Sequence, residues 1–134
     1  MAIRFSAPER CTVRDEALVG CLTMLWERSV RATHDFLHEE DILRIRPQVA
    51  EALRSVTDLR IVRDAQGVPA AFMGTEERRL EMLFVDPACR GAGIGAALVR
   101  NAFARGVTEV AVNEQNPAAR GFYERMGFCL LYTS

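Results

Sequence analysis

Three glycines at alternate positions, Gly91, Gly93 and Gly95, follow an arginine in the stretch "VDPACRGAGIGAAL" and run into a helix of small residues. Such a run leaves bare backbone N–H groups at a helix N-terminus, where the helix dipole also favours negative charge. The chemistry this suits is the cradling of a phosphate or pyrophosphate. Two frames fit the glycines. Gly91, Gly93 and Ala96 match G-x-G-x-x-A, the dinucleotide fingerprint, with Glu114 near the place of its ribose-binding acid. That frame wants its first glycine directly after a strand, whereas "DPACR" intervenes. Only about forty residues follow the loop, too few to complete a doubly wound sheet. The other frame is Arg90-x-x-Gly93-x-Gly95, in which successive N–H groups wrap a pyrophosphate. A lysine-dependent phosphate loop is excluded, because all seventeen basic residues are arginine and there is no lysine.

The elements that must hold this loop can be read on either side of it. Helical spacing of Leu18, Leu22, Leu25 and Trp26 predicts a first helix between Arg14 and Arg31. Ile42, Ile45, Val49, Leu53 and Val56 predict a second. Pro47 lies inside it, lacks an N–H and predicts a kink or break near Arg46. "AIRF" is a short strand candidate. "DLRIVRD", "VPAAFMGT" and "RLEMLFVD" read as an antiparallel meander, with "DAQG" as the first turn. The glycine loop then opens a helix to about Ala104. "VTEVAVN" is a strand, Asn116-Pro117 is a cap and first-turn pair for a last helix, and "FCLLYTS" is a final strand. The predicted order is β-α-α-β-β-β-α-β-α-β.

The chain has 134 residues, a length that suits one domain with one core. A net charge of −1 gives no general electrostatic case for nucleic acid. No apolar h-region opens the chain and no apolar run is long enough to span a bilayer, so no signal peptide and no membrane partner are expected. A cytoplasmic location is the expectation. Cys11, Cys21, Cys89 and Cys129 show no C-x-x-C pairing and no histidine at metal spacing, so free thiols and no metal are expected.

Arg90-x-x-Gly93-x-Gly95 resembles the R/Q-x-x-G-x-G/A motif of the GNAT superfamily of acyl-CoA N-acyltransferases. In that family the motif follows the fourth strand and binds the pyrophosphate of acetyl-CoA. A second segment, "NEQNPAARGFYERMGF", is similar to the family's N-x-x-A-x-x-F-Y-x-x-x-G-F signature, with Asn116, Ala119, Phe122, Tyr123, Gly127 and Phe128 in register. The element order is also that of the family. The segment from Trp26 through "ATHDFL" resembles a small bacterial subgroup, the YjaB-like acetyltransferases. The resemblance therefore covers almost the whole chain. It implies an α/β (α+β) GNAT fold, a mixed central sheet flanked by helices, and an N-acetyltransferase that uses acetyl-CoA as co-substrate.

What the resemblance implies residue by residue is specific. Backbone of Leu83, Phe84 and Val85 would lie along the pantetheine arm. Arg90, Gly91, Ala92, Gly93, Ile94 and Gly95 would hold the pyrophosphate. Asn116 would contact the pantetheine as well as cap its helix. Tyr123 would protonate the departing thiolate, and Glu81 on the fourth strand would take the amine proton through water. Strict alternation puts Leu80, Met82 and Phe84 on one face and Glu81, Leu83 and Val85 on the other, so Glu81 shares a face with apolar residues that would raise its pKa. Trp26, His34 and Phe36 lie where the family builds its acceptor site, and His34 is a further candidate for the base. Cys89 reads as a small residue at a tight turn and not as a nucleophile, and Phe122 as core.

The acceptor expected is a primary amine, either a protein lysine or a small molecule, and a homodimer is left open. A non-catalytic acyl-CoA-binding or sensory module on the same fold is the alternative; release of coenzyme A with a panel of amines separates the two. The tail carries a further expectation. Residues 129–134, "CLLYTS", are what TGT CTC TTA TAC ACA TCT encodes, a transposase mosaic-end sequencing adapter read in one frame. The domain is therefore expected over residues 1–128, with 129–134 a non-native tail and the family's seventh strand missing. The β-propensity of "CLLYT" predicts that it pairs with "VTEVAVN" as a substitute.

Overall fold

The computed structural model describes residues 4–33, 37–113 and 117–133. A six-stranded sheet runs in chain order: β1 (Glu9–Arg10), β2 (Asp58–Arg63), β3 (Pro69–Glu76), β4 (Arg79–Val85), β5 (Glu109–Asn113) and β6 (Cys129–Thr133). Helices α1 (Glu16–Thr33) and α2 (Glu39–Ser55) precede β2, α3 (Ile94–Ala104) follows β4, and α4 (Pro117–Arg125) joins β5 to β6.

Two apolar layers hold the sheet. Leu22, Leu25, Trp26 and Val30 of α1 and Ile42, Val49 and Leu53 of α2 bury against Leu59, Ile61 and Phe72. On the opposite face Leu98, Val99 and Ala102 of α3 and Tyr123 of α4 pack with Ala71, Met73, Leu80, Val110 and Phe128. Pro69 to Thr75 is buried throughout, because β3 is covered on both faces.

Local chemistry starts the helices. Asp15 caps α1, its Oδ1 accepting from the Leu18 N–H at 2.8 Å, and the Asp41 carboxylate of α2 accepts from the His38 N–H at 3.0 Å. Of the kink or break expected near Arg46, the break does not occur: α2 runs unbroken from Glu39 to Ser55 with Pro47 inside it. Buried Ile42 on one side of the proline and Val49 and Leu53 on the other are all anchored in the same layer, which outweighs the one missing helical bond. The first strand also differs from expectation. Phe5 makes only an isolated antiparallel bridge to Asp64, and the ladder forms at Glu9–Arg10. Pro8 lies between the two contacts and has no N–H to give.

The sheet changes character at β4. β2, β3 and β4 are antiparallel, while β4–β5 and β5–β6 are parallel. The expected pairing of "CLLYT" with "VTEVAVN" is present, in register from Glu109↔Cys129 to Asn113↔Thr133. Opposite Gly74–Thr75 the β4 register slips: Thr75 pairs with Leu80 but Gly74 with Met82, so Glu81 is an extra, bulged residue. Past that point β4 parts from β5, whose ladder to β4 consists of Arg79↔Glu109 and Leu80↔Val110.

Candidate active site

The bulge overturns the strict alternation. Leu80 packs in the α3–α4 layer together with Leu83 and Val85, whereas Met82 and Phe84 pack on the α1–α2 side. One extra residue in β4 moves everything after it to the other face. Glu81 itself is exposed, so it does not share an apolar face with Leu83 and Val85 as expected. It sits where β4 leaves β5, on the wall of a cavity of about 850 Å³.

That cavity fills the wedge between the two strands. Its walls are the diverging β4 segment Glu81 to Val85 and the β5 residues Val110 to Val112; the glycine loop and the start of α3 close one side, and Phe122 and Tyr123 of α4 another. The wedge has a physical consequence for β4. Beyond Leu80 its backbone has lost β5 as a ladder partner, so its N–H and C=O groups on that side are available to an extended ligand.

The loop has the features that suit an anion. Asp86 starts a 3₁₀ turn, Pro87–Cys89, through an Ala88 N–H bond to Oδ1 of 3.0 Å. Arg90 is extended, and Gly91 (φ 85°) and Gly93 (φ 77°) take left-handed conformations that only glycine adopts without strain. α3 begins at Ile94 with Gly93 as its cap residue, and no side chain caps it. Its first N–H groups therefore have neither an intrahelical nor a side-chain acceptor. A Cβ added at Gly91 or Gly93 would meet no protein atom within 4 Å, and one at Gly95 only Val85 Cγ2 at 3.9 Å. The glycines are thus not demanded by packing within the chain; the space in front of them is open to a ligand, and the pyrophosphate of acetyl-CoA suits both the charge and the room.

Most of the donor-site residues expected from the sequence gather here. Leu83, Phe84, Val85, Arg90, Gly91, Gly93, Ile94 and Gly95 line the cavity; Ala92 does not. Arg90 points its guanidinium to α1, with Nη2 3.4 Å from both the carbonyl oxygen and Oγ of Ser29. Tyr123 is 9% exposed and more deeply set than Phe122, which is half-buried and lines the cavity rather than being simple core. Its ring meets Phe122 edge-on at 5.1 Å and Phe128 at 5.8 Å. Burial alone pushes its phenol well above the ordinary tyrosine range, which keeps the hydroxyl protonated and fit to donate. Burial, joined by the Asp86 and Asp64 carboxylates, raises the Cys89 thiol, so Cys89 stands in the cavity wall as a thiol and not a thiolate.

On the acceptor side the outcome differs. Trp26, expected to bind acceptor, is a core residue, 3% exposed in the α1–α2 layer and away from the cavity wall. His34, Phe36 and Asn116 lie outside the described residues. Ser29 was not foreseen: it is buried on α1, lines the cavity and receives Arg90. Nothing in its local sequence signals this, since the contact spans 61 positions. Among the described residues no group of three or more His, Cys, Asp or Glu could hold a metal, and no helix is long and apolar enough to cross a membrane.

The family described as acetyltransferase (GNAT) domain matches residues 57–129, which takes in every element lining the cavity except α1. The chain belongs to that family: it is an acetyltransferase, and its acyl donor is acetyl-CoA. Among individual proteins it is similar to the peptidyl-lysine N-acetyltransferase YjaB of Salmonella typhimurium, 42% identical over 109 residues, covering 80% of this chain and 74% of the relative. The YjaB of Escherichia coli K12 is 37% identical over 111 residues, with 80% and 73% covered. The solution structure of apo YjaB from Escherichia coli superposes with a TM-score of 0.76 at 32% identity, covering 94% of this chain and 82% of that one.

Proposed function

We propose that the chain moves the acetyl group of acetyl-CoA to the ε-amine of a protein lysine by direct attack. The observation that carries this reading is the convergence on one cavity of the uncapped α3 N-terminus, the β4 backbone released from β5, and the buried hydroxyl-bearing Tyr123. The protein-lysine half rests on the relatives, both peptidyl-lysine N-acetyltransferases. Acetyl-CoA supplies an activated carbonyl carbon and a thiolate leaving group. The N–H groups from Gly91 to Gly95 hold the pyrophosphate, and the backbone of Leu83 to Val85 pairs with the pantetheine arm. Held there, the thioester meets the lysine nitrogen as in an intramolecular reaction. A C–N bond forms, the C–S bond breaks, and Tyr123 gives its proton to the sulfur before recovering one from solvent. The surplus amine proton leaves through Glu81, whose exposure gives it access to water. For His34, Phe36 and Asn116 the proposal rests on the resemblance alone: His34 and Phe36 would contact the acceptor and Asn116 the pantetheine. The reaction is assigned to the cytoplasm of a bacterium.

The test is an acceptor screen that follows coenzyme A release with lysine peptides, polyamines, amino acids and aminoglycosides. Lysine peptides are expected to be the best acceptors. Turnover with small amines alone would overturn the protein-lysine assignment, and no release with any amine would leave only the binding module.

A further inference from the structure

The residues Arg28 and Ser29, consecutive on α1, meet the two ends of the 3₁₀ turn that feeds the glycine loop. Arg28 donates from Nε at 3.1 Å and from Nη2 at 2.7 Å to Oδ2 of Asp86, the residue that caps the turn, while Ser29 receives Arg90 from its other end. The two oxygens of Asp86 have separate duties: Oδ1 holds the Ala88 N–H at 3.0 Å and Oδ2 faces Arg28. The main chain of Asp86 is fixed as well, through its N–H bond of 2.8 Å to the Ala70 carbonyl on β3. A carboxylate is a good cap but a poor neighbour for a pyrophosphate. Its charge does reach the cavity wall: the thiol of Cys89 feels Asp86 and Asp64, and the cation acting against them there is Arg28.

We propose that Arg28 is a positioning residue for acetyl-CoA: by pairing with Oδ2 of Asp86 it cancels the charge of the capping carboxylate beside the pyrophosphate cradle and leaves Oδ1 to hold the turn. The proposal rests on the acetyl-CoA reading of the glycine loop. Arg28 touches no reacting atom, and its effect is on donor affinity. Its side chain is 47% exposed, so the pair is partly screened by water and the effect is bounded by what a surface ion pair supplies.

The experiment is calorimetric titration with acetyl-CoA at low and at high salt, with thermal melts of each variant. Arg28→Gln is expected to raise the Kd about fivefold at low salt, the ceiling for an exposed pair, and less at high salt. In steady state it raises KM for acetyl-CoA while kcat holds. Arg28→Lys recovers most of the affinity. Asp86→Asn in the Arg28→Gln background recovers it too, because an asparagine oxygen still caps the turn and the unbalanced charge is gone. A parent protein that does not bind acetyl-CoA would sink the donor reading itself. A parent that binds, with Arg28→Gln binding equally well at low salt, would sink the role of Arg28 alone. Weakened binding that Asp86→Asn does not repair, together with a matching fall in Tm, would make Arg28 a structural brace and overturn the charge argument.

Discussion

Alanine at Gly93 probes the cradle most directly, because two separable effects meet at that position. The first is conformational. Gly93 has φ 77°, and a non-glycine residue held in the left-handed region costs about 1–2 kcal/mol. No protein atom lies within 4 Å of the added Cβ, so no clash within the chain adds to this. Stability should fall by that amount, which for a domain of this size lowers Tm by roughly 3–10 °C. The second effect concerns the ligand. If the N–H groups around Gly93 hold a pyrophosphate, a methyl group in the open space before them displaces the anion and weakens at least one charge-assisted bond. Such a bond contributes about 1.5–3 kcal/mol, or about tenfold to a hundredfold in Kd. Gly106 supplies the control. It closes the other end of α3, about 16 Å away by helix rise, with φ 90° and equally open space around it. Gly106→Ala should lose similar stability and leave acetyl-CoA affinity unchanged. Thermal melts and calorimetric titration of the two variants side by side decide the matter. If both melt alike and both bind acetyl-CoA like the parent, the glycine loop is a structural turn and the phosphate assignment is wrong.

Tyr123→Phe keeps the ring contacts and removes only the proton donor, so kcat should fall about a hundredfold or more with acetyl-CoA affinity within about twofold; an unchanged kcat across the pH range would remove the general-acid role. The same residue predicts an alkaline instability. Its buried phenol ionises above the ordinary value of 10.0, so from about that pH upward the unfolded state loses a proton that the folded state keeps, and stability drops as pH rises. With no lysine in the chain to titrate in this range, the urea midpoint of the parent should fall relative to that of Tyr123→Phe as pH rises above about 10, and parallel curves would contradict the burial argument. At the bulge, a Cβ on Gly74 would come within 2.6 Å of Met82 Cε and 3.2 Å of Val56 Cγ2. Gly74→Ala should therefore cost about 1–3 kcal/mol by urea denaturation, and much of that should disappear in a Met82→Ala background; additive losses would mean that Met82 is not the obstacle.

What could be read from the residues in order was short in range. The glycine loop, its arginine and the small-residue helix after it follow from N–H geometry and positive φ, properties of a dozen consecutive positions. The donor half of the site was accordingly visible as a motif, and the resemblance of a second segment supplied Tyr123 and its expected role. The pairing of "CLLYT" with "VTEVAVN" followed from the β-propensity of one short segment and its sequence to the next.

Tertiary packing decided the rest. The bulge at Glu81 arises where β4 crosses Gly74 on β3, and period-two alternation carries no signal of one inserted residue, so the faces of Leu80 and Met82 were assigned together when they are opposed. Pro47 argued locally for a kinked or broken helix, yet anchors on both sides of it keep α2 continuous. Trp26 read as an acceptor contact because of the residues beside it in sequence, but its place on α1 turns it into the core. Ser29 and Arg28 reach the loop across some 60 positions of chain, a proximity that only the folding of α1 against β4 creates. Sequence by itself determined which groups are candidates to bind and to donate, because backbone conformation and charge are local properties. The structure determined which of them share one cavity, because burial and approach depend on which distant surfaces the fold brings together.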